Sequence, residues 1–579
     1  MRPVLQLTSA PAPPPVGDDP ARVPPGASVA APALELTVDG VEVTVADRGA
    51  SLLEVLREDL GVRSAKDGCS PQGQCGCCTV LVDGSPRVAC VTPARRVAGR
   101  SITTLEGLGP EVTGRWAGAL TATGGSQCGF CTPGIIVRLE SIRARTSSRP
   151  TVGAAGDVAP ETRLDPGLGA DEVEAVERAL QAHLCRCTGW RTVVDAYARV
   201  VGGHPIEPDT GRDLEAAARR AALEGGWPQA VGPAVALGQG GFAADSVPQD
   251  ALVAVPDGVG GWAVAETLGQ ARLAAGKVQG RRTTAPADPP LPVPDGDWDL
   301  TLATSWVEPG YLEPDASWCR PGGQPSSPLA NGGAFGGKAD SPAPGAARLL
   351  ADRHGRPVLV VFSREDVVQR GPKRPPLAAG VRADGTGLVH VVSTPGVADR
   401  IRSAAPGFEV VEVDQPGPPT SARLRGAGWA EAAVLLAAVT GALSASTTPD
   451  GARAQAEITE QGVVRVRVAA GDPLDDVVLT SYVTGAAHQA LSWVTSEALA
   501  VDAAGAVHDL TIRSFGILRA VDTPSIEVEI DRSAAERSRP AVAVSEAVLA
   551  AVALAVWRAQ GCPPSWPTRQ LPRVARQTA

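Results

Sequence analysis

Residues 66–90 read KDGCSPQGQCGCCTVLVDGSPRVAC. Four cysteines, Cys69, Cys75, Cys77 and Cys78, crowd a loop containing Gly68, Gly73 and Gly76, and Cys90 follows a short alternating segment. The alternation predicts a hairpin, Thr79 to Val82 paired with Val88 to Val91, turning at Asp83-Gly84 and returning Cys90 beside the loop. Upstream, LELTVDGVEVTV from Leu34 alternates on both sides of Asp39-Gly40, a favoured two-residue hairpin turn. Ser51 then opens SLLEVLREDL with Glu54 as its capping-box partner, and Leu53, Leu56 and Leu60 share a helical face.

The thiols at Cys69, Cys75, Cys78 and Cys90 approach the plant-type C-x4-C-x2-C and distant C spacing of [2Fe-2S] ligands, with one extra residue in the first gap around Pro71. Glycine backbone can approach a cluster closely and offer N–H groups to its sulfurs, because no Cβ intervenes. Packed free thiols or a disulfide pair are the plainer alternative. A zinc ribbon would need two C-x2-C knuckles, and this segment has one.

A chain of 579 residues accommodates several domains. Its net charge of −10, from 63 acidic and 53 basic residues, disfavours nucleic acid and anionic membrane surfaces as partners. Residues 1–33 are a Pro/Ala-rich leader without an apolar core, expected to be a disordered tail, not a signal peptide. No apolar run is long enough to cross a membrane, and Ala547 to Trp557 reads as a core helix. Eleven cysteines at ligand spacings point to metal thiolates in a reducing cytoplasm.

A second thiol set follows, QCGFCTPG at Gln127 to Gly134 and CRCTGW at Cys185 to Trp190. Thr132 and Pro133 suit the N-cap and first turn of a helix, and Thr188 suits the N-cap of another around Val193 to Val200. Cys131 and Cys187 are then expected at helix N-termini, where the dipole favours thiolate. A further helix is expected from Asp171, with Val173, Val176 and Leu180 on one face. Thr146 to Gly169 reads as a surface insertion, and Asp213 to Leu223 as a short helix within a connector.

The order of these eight cysteines, C-x2-C and C-R-C-T-G after a ferredoxin-like loop, resembles the iron-sulfur part of the molybdenum hydroxylase family, the xanthine dehydrogenases and aldehyde oxidases. The resemblance implies an α+β multidomain chain. Its parts are a plant-type ferredoxin β-grasp domain at 34–110, a four-helix [2Fe-2S] domain at 111–205, a linker at 206–250 and a shortened molybdopterin-binding-like domain at 251–579. One cluster is expected on Cys69, Cys75, Cys78 and Cys90, the other on Cys128, Cys131, Cys185 and Cys187; Cys77, Cys319 and Cys562 remain as ordinary thiols.

WVEPGYLEP at Trp306, GGAFGGK at Gly332 and RLRGAGWAEA around Arg425 resemble the family's molybdenum subunit. The resemblance implies contacts to a molybdenum-molybdopterin cofactor from Gly333, Phe335, Gly336 and Arg425. It further implies oxidation of a small N-heterocycle or aldehyde, with electrons leaving through both clusters to a separate flavoprotein subunit or another acceptor. Departures accompany it. The second half is much shorter than the family's, VAAGDPLDD from Val468 occupies the neighbourhood of the family's G-Q-G segment, and Arg539 falls where the family has its general-base glutamate. An arginine stays protonated and cannot act as that base, which leaves Glu431 or Glu546 as candidates, and a non-catalytic electron-transfer or assembly subunit as the alternative reading.

Overall fold

The computed structural model describes residues 32–147, 168–202, 211–276, 285–326, 333–443, 445–508 and 510–570. Residues 1–31 of the leader, most of the Thr146–Gly169 insertion and Gly332 lie outside them, and Ala33 already belongs to the first strand. The first hairpin forms as expected. β1 (Ala33–Val38) and β2 (Val41–Ala46) pair antiparallel across Asp39 and Gly40, whose φ of 52° and 81° are the two left-handed positions that such a turn demands.

Ser51 and Glu54 complete the capping box of α1 (Leu52–Glu54), which widens into a π turn over Val55–Asp59 and buries Leu53 and Leu56. β3 (Thr79–Val82), β4 (Ser85–Val88) and β5 (Ser101–Thr103) complete a five-stranded sheet of order β2-β1-β5-β3-β4. The second strand of this hairpin starts earlier than expected. The tight Asp83-Gly84 turn sets Val82 opposite Ser85, so pairing ends at Val88, and a 3₁₀ turn over Ala89–Val91 carries Cys90 inward.

Four helices follow: α2 (Pro110–Thr123), α3 (Thr132–Ser147), α4 (Ala170–Leu180) and α5 (Arg191–Val201). Cys131 precedes a helix, as expected. Cys187 does not. Gly189 and Trp190 have φ of 62° and 70°, left-handed values that a helix cannot include, so α5 begins only at Arg191. Thr188 therefore caps nothing, and its Oγ1 instead lies 3.3 Å from Cys185 Sγ.

α6 (Leu214–Gly225) is capped by Asp213 and leads into a second half with three sheets of four, five and four strands. Its core is a pair of helices, Asp476–Thr495 and Ser545–Ala559, buried along nearly their whole length. No described helix is long and apolar enough to cross a membrane.

His488, inside the first of these helices, is fully buried and hydrogen-bonded to Leu518 O at 3.1 Å. Desolvation, aided by the Arg186 charge, depresses its pKa from the usual 6.5 to about 4. The unfolded chain therefore binds more protons between those values, and stability is lost as pH falls from about 6.5 through 4. The expected contribution is about 3 kcal/mol over that window. His488→Gln should flatten the pH dependence of the urea midpoint by up to one proton, and an unchanged slope would contradict this assignment.

Candidate iron-sulfur and cofactor sites

Two rings of thiols sit inside the first third of the chain. Cys69, Cys75, Cys78 and Cys90 are all buried, as are Cys128, Cys131, Cys185 and Cys187, and none of the eleven cysteines is in a disulfide. In the first ring, N–H groups of Gln72 and Gln74 point at Cys69 Sγ from 3.2 and 3.4 Å, and the Cys90 N–H points at Cys78 Sγ from 3.4 Å. In the second, Cys187 Sγ lies 3.7 Å from Cys128 Sγ.

Crowding governs their ionisation. Hydrogen bonds from the Cys75 and Cys90 thiols hold Cys69 well below the ordinary thiol range, and the same contacts push Cys75 and Cys90 up. Cys185 is likewise held low, first by Cys131 and then by Cys187, while Cys131 and Cys187 are pushed up. A dry ring of thiols can carry little negative charge unaided. Ferric iron would supply the missing positive charge, and the donor set of four buried sulfurs with aimed amides suits a [2Fe-2S] group. No group of three or more His, Cys, Asp and Glu side chains among the described residues is placed to hold a single metal ion. Sulfur rings shared by two irons need no such common centre.

Backbone joins the two rings. Leu184, next to Cys185, donates its N–H to Cys75 O at 3.0 Å. His183 lies beneath Gly76 and bonds Gly134 O at 3.1 Å; a Cβ on Gly76 would come within 2.5 Å of its ring. Cys77, read from the sequence as an ordinary thiol, is buried beside the first ring with its thiol 3.9 Å from Cys75 O.

The glycine-rich turn meets the second ring directly. A Cβ on Gly333 would lie 2.8 Å from Cys187 Sγ, and one on Gly336 would lie 2.0 Å from Arg423 O. Phe335 accepts from Arg425 N–H at 3.1 Å, and the Arg425 guanidinium stacks 3.6 Å from its ring centroid. Arg425 is buried, bonds Gln489 Oε1 at 3.0 Å, and has no carboxylate in ion-pair contact among the described residues. Desolvation lowers its pKa to about 10, which leaves it charged at neutral pH.

The space beside these residues is small. Arg186, Glu308, Phe335, Arg374, Gln489 and Trp493 line about 50 Å³. Arg374 grips Glu431 at 2.7 and 2.9 Å and lies over Trp493, while Arg186 forks onto Glu497. Such a space holds a water or two, whereas an organic cofactor needs several hundred Å³. The molybdenum-pterin group implied by the sequence does not fit here.

Arg539 is elsewhere, paired with Glu536 at 2.9 Å and bonded to Gly451 O at 3.0 Å. Glu431 is tied to Arg374, and Glu546 to Arg400 and the Gly426 N–H at 2.8 Å, so neither is poised as a free base. Gln489, Glu497 and Trp493 close this space, and no spacing among them marks them as site residues in the sequence.

Comparison with known proteins adds independent findings. A family of [2Fe-2S] binding domains matches residues 104–198. The aldehyde oxidoreductase of Megalodesulfovibrio gigas is 40% identical over 182 residues, which are 30% of this chain and 18% of that protein. The xanthine dehydrogenase iron-sulfur-binding subunit of Escherichia coli O157:H7 is 34% identical over 167 residues, 28% of this chain and 89% of that subunit. In fold, the crystal structure of the aldehyde oxidoreductase from Desulfovibrio desulfuricans matches with a TM-score of 0.63 at 15% identity, covering 90% of this chain and 97% of that one. The fold likeness thus extends through the second half, while the sequence matches span less than a fifth of the long oxidoreductases, 11% for xanthine dehydrogenase 1 of Arabidopsis thaliana.

Gly485 on the central helix packs so closely that a Cβ there would fall 1.8 Å from Cys187 O. Gly485→Ala should displace the second ring and leave the first intact. Iron is expected to fall from roughly four to roughly two per chain, read by iron assay on the folded variant; full retention would show that the ring tolerates the shift.

Proposed function

The chain belongs to the molybdenum hydroxylase family, that of the xanthine dehydrogenases and aldehyde oxidases, and from that premise we propose that it is a two-cluster electron-transfer oxidoreductase. Cys69, Cys75, Cys78 and Cys90 hold one [2Fe-2S] cluster, and Cys128, Cys131, Cys185 and Cys187 hold the other. When bound, each cluster takes up or releases one electron. The protein's own work is to keep the thiolates dry, to aim amide N–H groups at Cys69 and Cys78, and to hold the rings together through the Leu184 to Cys75 hydrogen bond. That hydrogen bond carries the reading, because it joins a ligand of one ring to the neighbour of a ligand of the other.

Electrons enter at the second ring and leave from the first. The second half acts as a scaffold, since the space beside Phe335 and Arg425 is filled by its own ion pairs. A reducing cytoplasm suits eleven unpaired thiols. The acceptor is a separate flavoprotein subunit or another redox carrier; relatives such as the aldehyde oxidoreductase iron-sulfur-binding subunit PaoA of Escherichia coli are themselves subunits.

One observation favours a second reading, oxidation of an N-heterocycle or aldehyde at a molybdenum-molybdopterin cofactor touched by Gly333, Phe335, Gly336 and Arg425. Arg425 is a buried cation without a carboxylate partner among the described residues, beside Cys187. This reading requires the Arg186–Glu497 and Arg374–Glu431 pairs to part.

Protein purified without oxygen from a host able to make the cofactor should contain roughly four irons per chain and no stoichiometric molybdenum. Cys128→Ser or Cys185→Ser should each abolish one of two paramagnetic signals of the reduced protein. Unchanged spectra in both would overturn the ligand assignment, and molybdenum near one per chain would establish the second reading.

A further inference from the structure

A cavity of about 740 Å³ lies not at the glycine-rich turn but between α1 with the loop that follows it and the four-stranded sheet of the second half that contains Val253 and Leu359. It touches the electron path at two places. Cys90 of the first ring lines it, and so does Phe130, which sits between Cys128 and Cys131 of the second. Phe130 meets Phe242 edge to face, centroids 5.1 Å apart, and Leu53, Val253 and Leu359 continue the apolar wall. Exposed Gln249 and Glu266 mark its mouth.

The cavity's charges are mutually satisfied. Asp245 is paired with Arg57 and Lys66, Asp67 with Arg272, Glu313 with Lys338, Asp59 and Glu58 with Arg48, and Glu266 with Arg356. Glu54 is held by the Ser51 N–H at 2.7 Å. Arg63 is the exception: it lines the cavity, its guanidinium reaches only the Arg57 carbonyl at 3.4 Å, and no carboxylate pairs with it among the described residues. A neutral aromatic molecule with carbonyl oxygens fits this pattern. Its rings take the phenylalanine wall, and a carbonyl takes the Arg63 N–H groups.

We propose that this cavity is the electron exit and that its ligand is a small quinone, which rests on the two-cluster reading above. The step balances. Each reduced cluster gives up one electron, solvent at the mouth gives two protons, and the two quinone C=O groups become C–OH groups while one iron in each cluster is oxidised. A volume within the range of small-molecule pockets favours such a carrier over a docked protein.

The test uses the full chain, reduced anaerobically with stoichiometric dithionite and mixed with menadione. Reoxidation, followed by the return of cluster absorbance, should saturate with menadione concentration. Leu268→Trp and Val247→Trp, each filling the cavity from a partly buried wall position, should raise the half-saturating concentration by about tenfold or more with iron content and both paramagnetic signals intact. Saturation unaltered in both variants, or reoxidation strictly linear in menadione, would overturn the proposal. Equilibrium dialysis of menadione against the same proteins separates the two readings. Binding that the tryptophans abolish in protein lacking clusters would keep the site while sinking electron transfer, and absence of binding in cluster-bearing protein would do the reverse.

Discussion

Irregular loops that wrap a buried anionic group cannot satisfy their own carbonyl oxygens, and an orphaned carbonyl in the interior is costly. Here the second half supplies the donors. Arg364, fully buried, gives to Gly68 O at 2.7 Å; Arg513 gives to Gln74 O at 2.8 Å; Gln489 gives to Arg186 O at 3.0 Å; and Gln127 gives to Cys187 O at 3.0 Å from within the module itself. The Arg186–Glu497 and Lys66–Asp245 pairs add charge to this grip. Both thiol loops are thus shaped by residues hundreds of positions away, which gives the second half a structural role that is independent of any cofactor.

What sequence revealed follows from how local each signal is. The Asp39-Gly40 turn, the Ser51–Glu54 box and the helix after Cys131 depend on neighbours within a few residues, and all have their place in the structure. Thr188 misled because its N-cap chemistry was read without the left-handed pair Gly189 and Trp190 that delays the helix. Arg539 is held by Glu536 and by Gly451 O, the latter 88 positions away, contacts that its place in the order of motifs does not disclose. The Gln489–Arg425 contact and the large cavity join segments with no common motif, so no pattern could announce them.

The closed space at the glycine-rich turn has its own electrostatic logic. Arg374 and Arg186 are neutralised by Glu431 and Glu497, and Arg374 is further covered by Trp493 at 3.9 Å. Arg425 is stabilised by a different set, the Phe335 ring and Gln489. An uncompensated buried arginine is expensive. Its cost falls when an anion lies nearby, and the Glu224 carboxylate contributes most to keeping it protonated. Arg425 is therefore held by contacts the protein itself provides: the Phe335 ring over its guanidinium, the Gln489 carbonyl oxygen, and the Glu224 charge nearby.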